Sequence, residues 1–400
     1  MMPNLRRSRT TVLTLGALWL VLTAERCPAP RPNGDYPDGV NGIPRGLSNA
    51  LTDMKAVGFD GVRTFIHWHG IQPTNDPLDT PAKVQAAFTC RYVVDSDKDD
   101  NGNFWEACNP AQGDCHAADA CGKSADERLG EAVDPLKMPT VVTVVGTPAW
   151  AGGPKDGGKC PGSVPFWALP IKSAADSCPS AANAHRTCVD AWNEFVYVMA
   201  DRYAPGAYAF ELWNEPDKCE SWAGSAQQYK ARVLPAAQQI KNTGAIPGIV
   251  VAPGVSNSAR VGDYTSFAYP LDYVSFHAYG ALSSVQAQID AVNSWCDANV
   301  NCTGFYITEF GYASNAQSGG GCIASTAVAD PGPKAVSVMN YCFDRGWCWG
   351  TFHYTLSDRT KKPHCDMGLL DENGCRKGRL CQIASDWFGT NPFTCAGCGD

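Results

Sequence analysis

The sequence predicts an α/β fold, a (β/α)8 TIM barrel, on three observations. Seven short β-rich runs alternate with helical segments, two of those runs end in a carboxylate beside a Pro or Gly turn, and 400 residues suffice for one barrel with insertions. The runs are Gly61–Trp68, Thr140–Gly146, Tyr208–Trp213, Gly248–Ala252, Tyr273–His277, Gly304–Thr308 and Gly350–Tyr354. Helical spacing is clearest over Cys188–Arg202, where Trp192, Phe195, Val196 and Met199 recur on one face. Further helices are expected over Leu47–Val57, Ala226–Thr243 and Pro333–Arg345. The first of these implies a strand before it, which makes the Gly61 run the second of eight. Residues 27–44 are rich in Pro, Gly and Asp and carry no β run, so the first strand is either degenerate or absent from this chain. No internal repeat is present. Two Cys-rich stretches, about residues 90–128 and 160–188, interrupt the alternation and read as inserted loops.

Composition narrows the function classes. The 32 basic and 40 acidic side chains give a formal charge of −8 with no Lys/Arg-rich block, which argues against a nucleic-acid partner. The 12 Trp and 14 Tyr argue against disorder. Arg6, Arg7 and Arg9 precede an apolar run from Thr11 to Ala24 and then Pro-rich sequence, the pattern of an export signal cleaved near Ala24. Residues 1–24 are therefore expected to be a signal peptide and residues 25–400 a single barrel domain. The apolar run is shorter than the roughly 18 residues that span a bilayer, so no stable membrane insertion is expected. The 19 Cys agree with export, and disulfides are their default use. The single C-x-x-C, Cys395 to Cys398, is a weak zinc signal. An odd count leaves one thiol unpaired, for which Cys27 is the simplest candidate. A secreted monomer, extracellular or periplasmic, is expected.

Within the first insertion, Asp97, Asp99 and Asn101 followed by Gly102 match the start of a calcium loop, in which alternate oxygen side chains converge on the ion. The closing acid is missing, since position twelve is Cys108. The segment is either a structural calcium site or a solvated acidic turn tied down by disulfides. Gly153 to Cys160 nearly spells a phosphate-binding loop, but Cys160 replaces the Ser/Thr and Pro161 stands where a helix would start. It reads as a disulfide-bearing loop.

The chemistry is carried by Phe210-Glu-Leu-Trp-Asn-Glu-Pro-Asp217 and by Tyr306-Ile-Thr-Glu-Phe-Gly-Tyr312, which place Glu215 and Glu309 at the ends of strands. In a barrel those ends form the catalytic face. Two carboxylates on one cavity suit glycoside hydrolysis, in which one protonates the leaving oxygen and the other attacks or stabilises the sugar carbon. Arg63 is a candidate cation beside them, with a cross-strand ion pair as the alternative. Glu211 lies on the same strand face as Glu215 but four residues deeper, where a structural partner inside the barrel is its expected use.

With these motifs the chain resembles the retaining glycoside hydrolases of clan A, whose fourth strand ends in Asn-Glu and whose seventh ends in Glu, as Asn214-Glu215 and Glu309 do. The likeness runs from about Gly42 to Phe388, through Gly61–Thr64, Thr147–Ala151, Ser275–Tyr279 and Gly368–Asp371 with Lys377, and resembles family 39 and the family-5-type cellulases. It implies Glu215 as acid/base, Glu309 as nucleophile and Asn214 as a donor to the substrate 2-hydroxyl, with Arg63, His277 and Tyr279 around the nucleophile. It further implies a β-linked poly- or oligosaccharide as substrate and no organic cofactor. Tyr279 suits that position, since a phenol can donate to Glu309 and keep it ionised. Trp68 and Trp150 are candidates for stacking on a sugar face, with ordinary core as the alternative. Where this clan supplies a Trp in the eighth strand, the chain reads Thr351-Phe-His-Tyr354, and Phe352 or His353 would replace the platform. A barrel that binds carbohydrate without cleaving it is the competing class.

Overall fold

The computed structural model describes residues 39–41, 50–92, 124–127, 129, 138–180, 183–244, 248–313, 331–354, 367, 369 and 378–389. Eight parallel strands close a barrel in sequence order: β1 (Gly39–Asn41), β2 (Gly61–His67), β3 (Thr140–Val145), β4 (Ala207–Leu212), β5 (Ile249–Val255), β6 (Tyr273–Ala278), β7 (Phe305–Phe310) and β8 (Cys348–His353). The first strand exists, but as three residues. Gly39 to Asn41 pair with Gly61 to Arg63 on one side, and Gly39 and Val40 pair with Phe352 and His353 on the other, which is enough to close the sheet.

Helices pack around the outside of the barrel. They are α1 (Ala50–Val57), α2 (Trp68–Ile71), α3 (Pro81–Thr89), α4 (Cys188–Tyr203), α5 (Ala226–Arg232), α6 (Ala236–Asn242), α7 (Val261–Tyr264), α8 (Leu282–Ala298), α9 (Pro331–Phe343) and α10 (Gly378–Asp386). Local chemistry sets their starts. Thr187 and Asp190 form a reciprocal capping box at the head of α4, and Ser225 and Gln228 do the same for α5. The single helix expected over Ala226–Thr243 is two, because Pro235 cannot donate to the turn before it and ends the first.

Apolar residues fill two layers. Val141, Ala209, Val251, Tyr306 and Phe352 pack inside the barrel near its floor. A larger shell, including Val62, Ile66, Trp68, Trp192, Phe195, Phe276 and Phe305, lies between strands and helices. Four disulfides are described. Cys296–Cys302 and Cys342–Cys348 tie the ends of α8 and α9 to the strands that follow. Cys160–Cys219 and Cys178–Cys188 lie in the loops after β3 and β4, at the opposite end. Cys90 and Cys381 are also disulfide-bonded. The export signal, the acidic loop with Asp97, Asp99 and Asn101, and the Cys395–Cys398 pair lie outside the described residues.

Candidate active site

The site is built on alternate residues of strands that open at one end. Arg63 on β2 is fully buried and forms the hub. Its Nε and Nη2 donate to Glu211 Oε2 at 2.8 and 2.5 Å, its Nη1 to Glu309 Oε1 at 2.7 Å, and its Nη2 also to Asn214 Oδ1 at 2.8 Å. Burial works against the guanidinium charge, but Glu211 and Glu309 more than restore it, so its pKa rises above the ordinary value. Glu211 additionally accepts from Thr143 Oγ1 on β3 at 2.6 Å and from Ser275 Oγ on β6 at 2.7 Å. A fully buried carboxylate with this many donors is satisfied in place, the structural role expected from its depth.

Glu215 reaches the cavity by an irregular exit from β4. Trp213 and Glu215 both take positive φ, 85° and 44°, in the left-handed region that L residues adopt only when held there. The holding contacts are Trp213 N to Val144 O at 3.0 Å, Glu215 N to Gly254 O at 2.8 Å and Trp213 Nε1 to Ser221 O at 2.9 Å. Gly254 is required at that crossing, since a Cβ there would stand 2.5 Å from His277 Nε2 and 2.7 Å from Thr308 Oγ1.

Glu309 on β7 accepts from Tyr279 Oη at 3.0 Å on Oε2, while Oε1 takes Arg63. Desolvation, and then the charge of Glu309, push the Tyr279 phenol well above its usual pKa, so it stays a donor. His277, fully buried on β6, has Nδ1 2.9 Å from Glu215 Oε1 and 3.5 Å from Glu309 Oε2, so a proton on Nδ1 serves Glu215. Lys218 Nζ stands 2.9 and 2.8 Å from the two oxygens of Glu215. Burial works to raise the pKa of Glu215, but His277 and Lys218 outweigh it and hold the carboxyl down at about 2. Carboxylate oxygens of Glu215 and Glu309 and the His277 ring nitrogen lie within 4.8 Å of one another, a set able to hold a metal ion. Arg63, Tyr279 and Lys218 already occupy those oxygens, so a cation entering there would have to displace them.

The structure thus brings together Arg63, Asn214, Glu215, His277, Tyr279 and Glu309. It separates Trp68 and His353 from them. Trp68 follows Val62 and Ile66 onto the outer shell, is fully buried against Trp192 and Phe195, and donates Nε1 to Gln72 Oε1 at 2.8 Å, so it offers no ring face to a sugar. His353 packs edge-on to Phe310 of the same shell, while its neighbour Phe352 belongs to the barrel interior. Alternation puts Tyr354 on the Phe352 side, and its ring stands edge-on to Tyr279 at 6.4 Å, so Tyr354 rather than His353 borders the cavity from the eighth strand. Trp150 is half-buried against that outer shell, edge-on to Trp68 at 5.4 Å, with Nε1 donating to Gln72 O at 3.0 Å.

Sequence reasoning missed Lys218, Lys159 and Tyr354. Lys159, from the false phosphate-loop motif, donates Nζ to the carbonyls of Pro216 and Trp222 at 2.7 Å each and Gly224 at 3.0 Å, and so pins the loop that carries Glu215.

The fold and site define a (β/α)8 barrel with two facing carboxylates at the C-terminal ends of β4 and β7. No family model matches the chain, and no curated protein matches it in sequence. Solved structures do. A GH5_18 protein of Bifidobacterium longum is 14% identical over 90% of this chain and 81% of its own, with a TM-score of 0.53. A GH5-4 broad-specificity endoglucanase of Clostridium cellulovorans is 14% identical over 88% and 93%, at 0.50. An exo-β-1,4-mannosidase of an Opitutaceae bacterium is 14% identical over 89% of this chain but 60% of its own, also at 0.50. These likenesses show the shared barrel fold.

Proposed function

We propose that the protein is a retaining glycoside hydrolase that cleaves β-linked poly- or oligosaccharides by double displacement. One observation carries the reading: Glu215 and Glu309 face each other at strand ends, with one oxygen of each within 4.8 Å of the other. Retaining pairs stand about 5–5.5 Å apart, whereas an inverting pair needs roughly 6.5–9.5 Å to admit a water between base and sugar. Glu309, oriented by Arg63 and Tyr279, attacks the anomeric carbon as the glycosidic C–O bond breaks. Glu215 protonates the departing oxygen, then as carboxylate takes a proton from the water that releases the sugar. Asn214, its Oδ1 fixed by Arg63, keeps its amide donors free to bind a 2-hydroxyl.

The neighbouring mannosidase and endoglucanase support β-linked glycans as the substrate class. The disulfides fit an oxidising compartment outside the cytosol, and among the described residues no helix is long and apolar enough to cross a membrane. The protein acts as a secreted monomer, and no step draws on a cofactor; calcium at Asp97, Asp99 and Asn101 would be structural.

The test is hydrolysis of β-linked xylo-, gluco- and manno-oligosaccharides, with the first-formed anomer followed by proton NMR. The β-anomer should appear first, and Glu309→Gln and Glu215→Gln should each lose about 10³-fold or more in turnover. A first-formed α-anomer would refute retention. No turnover on any substrate, with oligosaccharide binding unchanged in both variants, would refute catalysis and leave a carbohydrate-binding barrel.

A further inference from the structure

Glu215 in the free protein is held by His277 Nδ1 and by the Lys218 ammonium, and a proton donor cannot work while both hold its oxygens. Its surroundings are complete: His277 comes from β6 and Tyr279 from just past its end, Glu309 from β7, Arg63 from β2 by way of Asn214, and Lys218 from the loop after β4. Tyr279 and Arg63 are committed to Glu309, so the groups acting directly on Glu215 are Lys218, His277 and the opposing Glu309.

One of the two has to withdraw. His277 cannot, because it is fully buried on a central strand with Nε2 packed against Gly254. Lys218 can. Its side chain is 41% exposed, and it lies three residues beyond Glu215 on the solvent side. The backbone around it is fixed. Lys159 grips the carbonyls on both sides of it, Cys219 beside it is bonded to Cys160, and Asp217 accepts from Ser256 N at 2.9 Å, Ser256 Oγ at 2.7 Å and Asn257 N at 3.0 Å. The loop stays in place while the lysine side chain is free to swing.

Resting on the reading of Glu215 as the acid/base, we propose that Lys218 is a removable counter-ion, displaced from Glu215 when the leaving-group sugar binds, so that Glu215 takes up the proton it then donates. The proton comes from solvent on binding. It passes to the glycosidic oxygen as the C–O bond breaks and the bond to Glu309 forms. The hydrolytic water returns a proton to Glu215 as it attacks, and that proton goes to solvent when product leaves and Lys218 closes again. Lys218 acts through Glu215 and is a positioning residue.

The experiment compares Lys218→Met and Lys218→Arg with wild type across pH, on the oligosaccharide that the substrate panel identifies. On the alkaline side of the profile, kcat/KM reports how often free Glu215 is protonated, and each unit of its pKa is worth tenfold. Lys218→Met should therefore exceed wild type in kcat/KM there by about tenfold or more, while kcat changes less than about twofold because the lysine has already left in the complex. Lys218→Arg should behave as wild type. A kcat that rises in parallel would mean that the lysine stays on Glu215 during turnover, and a joint fall in kcat and kcat/KM would make it part of the substrate site; either overturns the proposal. The underlying reading is checked separately with a dinitrophenyl glycoside, whose leaving group needs no proton. If kcat/KM of Glu215→Gln falls equally on that substrate and on the oligosaccharide, Glu215 is not the donor, whatever Lys218 does.

Discussion

Arg63 donates to Glu309 Oε1 at 2.7 Å with one arm of the same guanidinium that grips the deeper carboxylate of Glu211. One oxygen of the candidate nucleophile is thereby fixed from the floor of the barrel, while Tyr279 holds the other from above. A planar fork serves both carboxylates in a fixed geometry, which a freely rotating ammonium does not provide.

Removing the deeper partner should hurt the fold more than removing the nucleophile. Glu211→Ala leaves Arg63 short of its main counter-charge in a fully buried site, a loss of about 3–5 kcal/mol in stability. Glu309→Gln keeps a hydrogen-bond acceptor near Arg63 and borders the cavity, so its denaturation midpoint should fall by less while turnover is lost. Equal midpoints for the two variants would contradict this hierarchy.

Tyr279→Phe deletes one donor to Glu309 and leaves the ring in place. A hydrogen bond to a charged group contributes about 1.5–3 kcal/mol, so kcat should fall roughly 10- to 150-fold with little change in melting temperature. An unchanged kcat would show that Arg63 alone positions Glu309.

Glu215 links stability to acid. Its pKa is depressed from the ordinary 4.5 to about 2 by His277 and Lys218, against the pull of burial. A depressed carboxyl adds stability that is complete above pH 4.5 and is lost as pH falls toward 2, because the unfolded chain then binds the proton first. Melting temperature measured from pH 6 to pH 2 should fall less steeply in Lys218→Met than in wild type over that window. Parallel curves would deny Lys218 its electrostatic role.

Trp68→Ala should cost about 3–5 kcal/mol, since the indole is fully buried among Trp192, Phe195 and Trp150. Oligosaccharide affinity of the folded variant should be unchanged. A large rise in KM without loss of stability would instead return Trp68 to the binding cleft.

Much of the barrel was legible because strands buried on both faces leave runs such as Thr140–Val145, and the described edges fall within about three residues of those runs. The first strand was not, because Gly-Val-Asn is too short to leave a run and is held by pairing on both sides. Helix α8 was missed although Val285, Ile289, Val292 and Cys296 recur along one face; it starts after Ala281, which offers no capping side chain, and its exposed face is Ser, Ala and Asp. The two glutamates were legible as acids at strand ends. Counting in twos from Arg63 already puts Trp68 on the opposite face of β2, a signal that outranks its sequence proximity. Lys218 was beyond sequence reasoning, because its contact with Glu215 depends on two left-handed residues that no motif encodes.

The bridge between Cys160 and Cys219 spans 59 residues and encloses the 10-residue Cys178–Cys188 bridge. Short loops close at lower entropic cost than long ones, so during synthesis the inner pair is favoured as soon as Cys188 emerges. Cys160 must then wait, reduced, until β4 and Cys219 have left the ribosome and met oxidising conditions. A production host that oxidises the chain too early would trap Cys160 with Cys178 or Cys188, yielding molecules whose barrel forms but whose Glu215 loop lacks its tether. Heterogeneous specific activity among correctly sized preparations is the signature to look for, and slow exposure to a glutathione couple is the remedy.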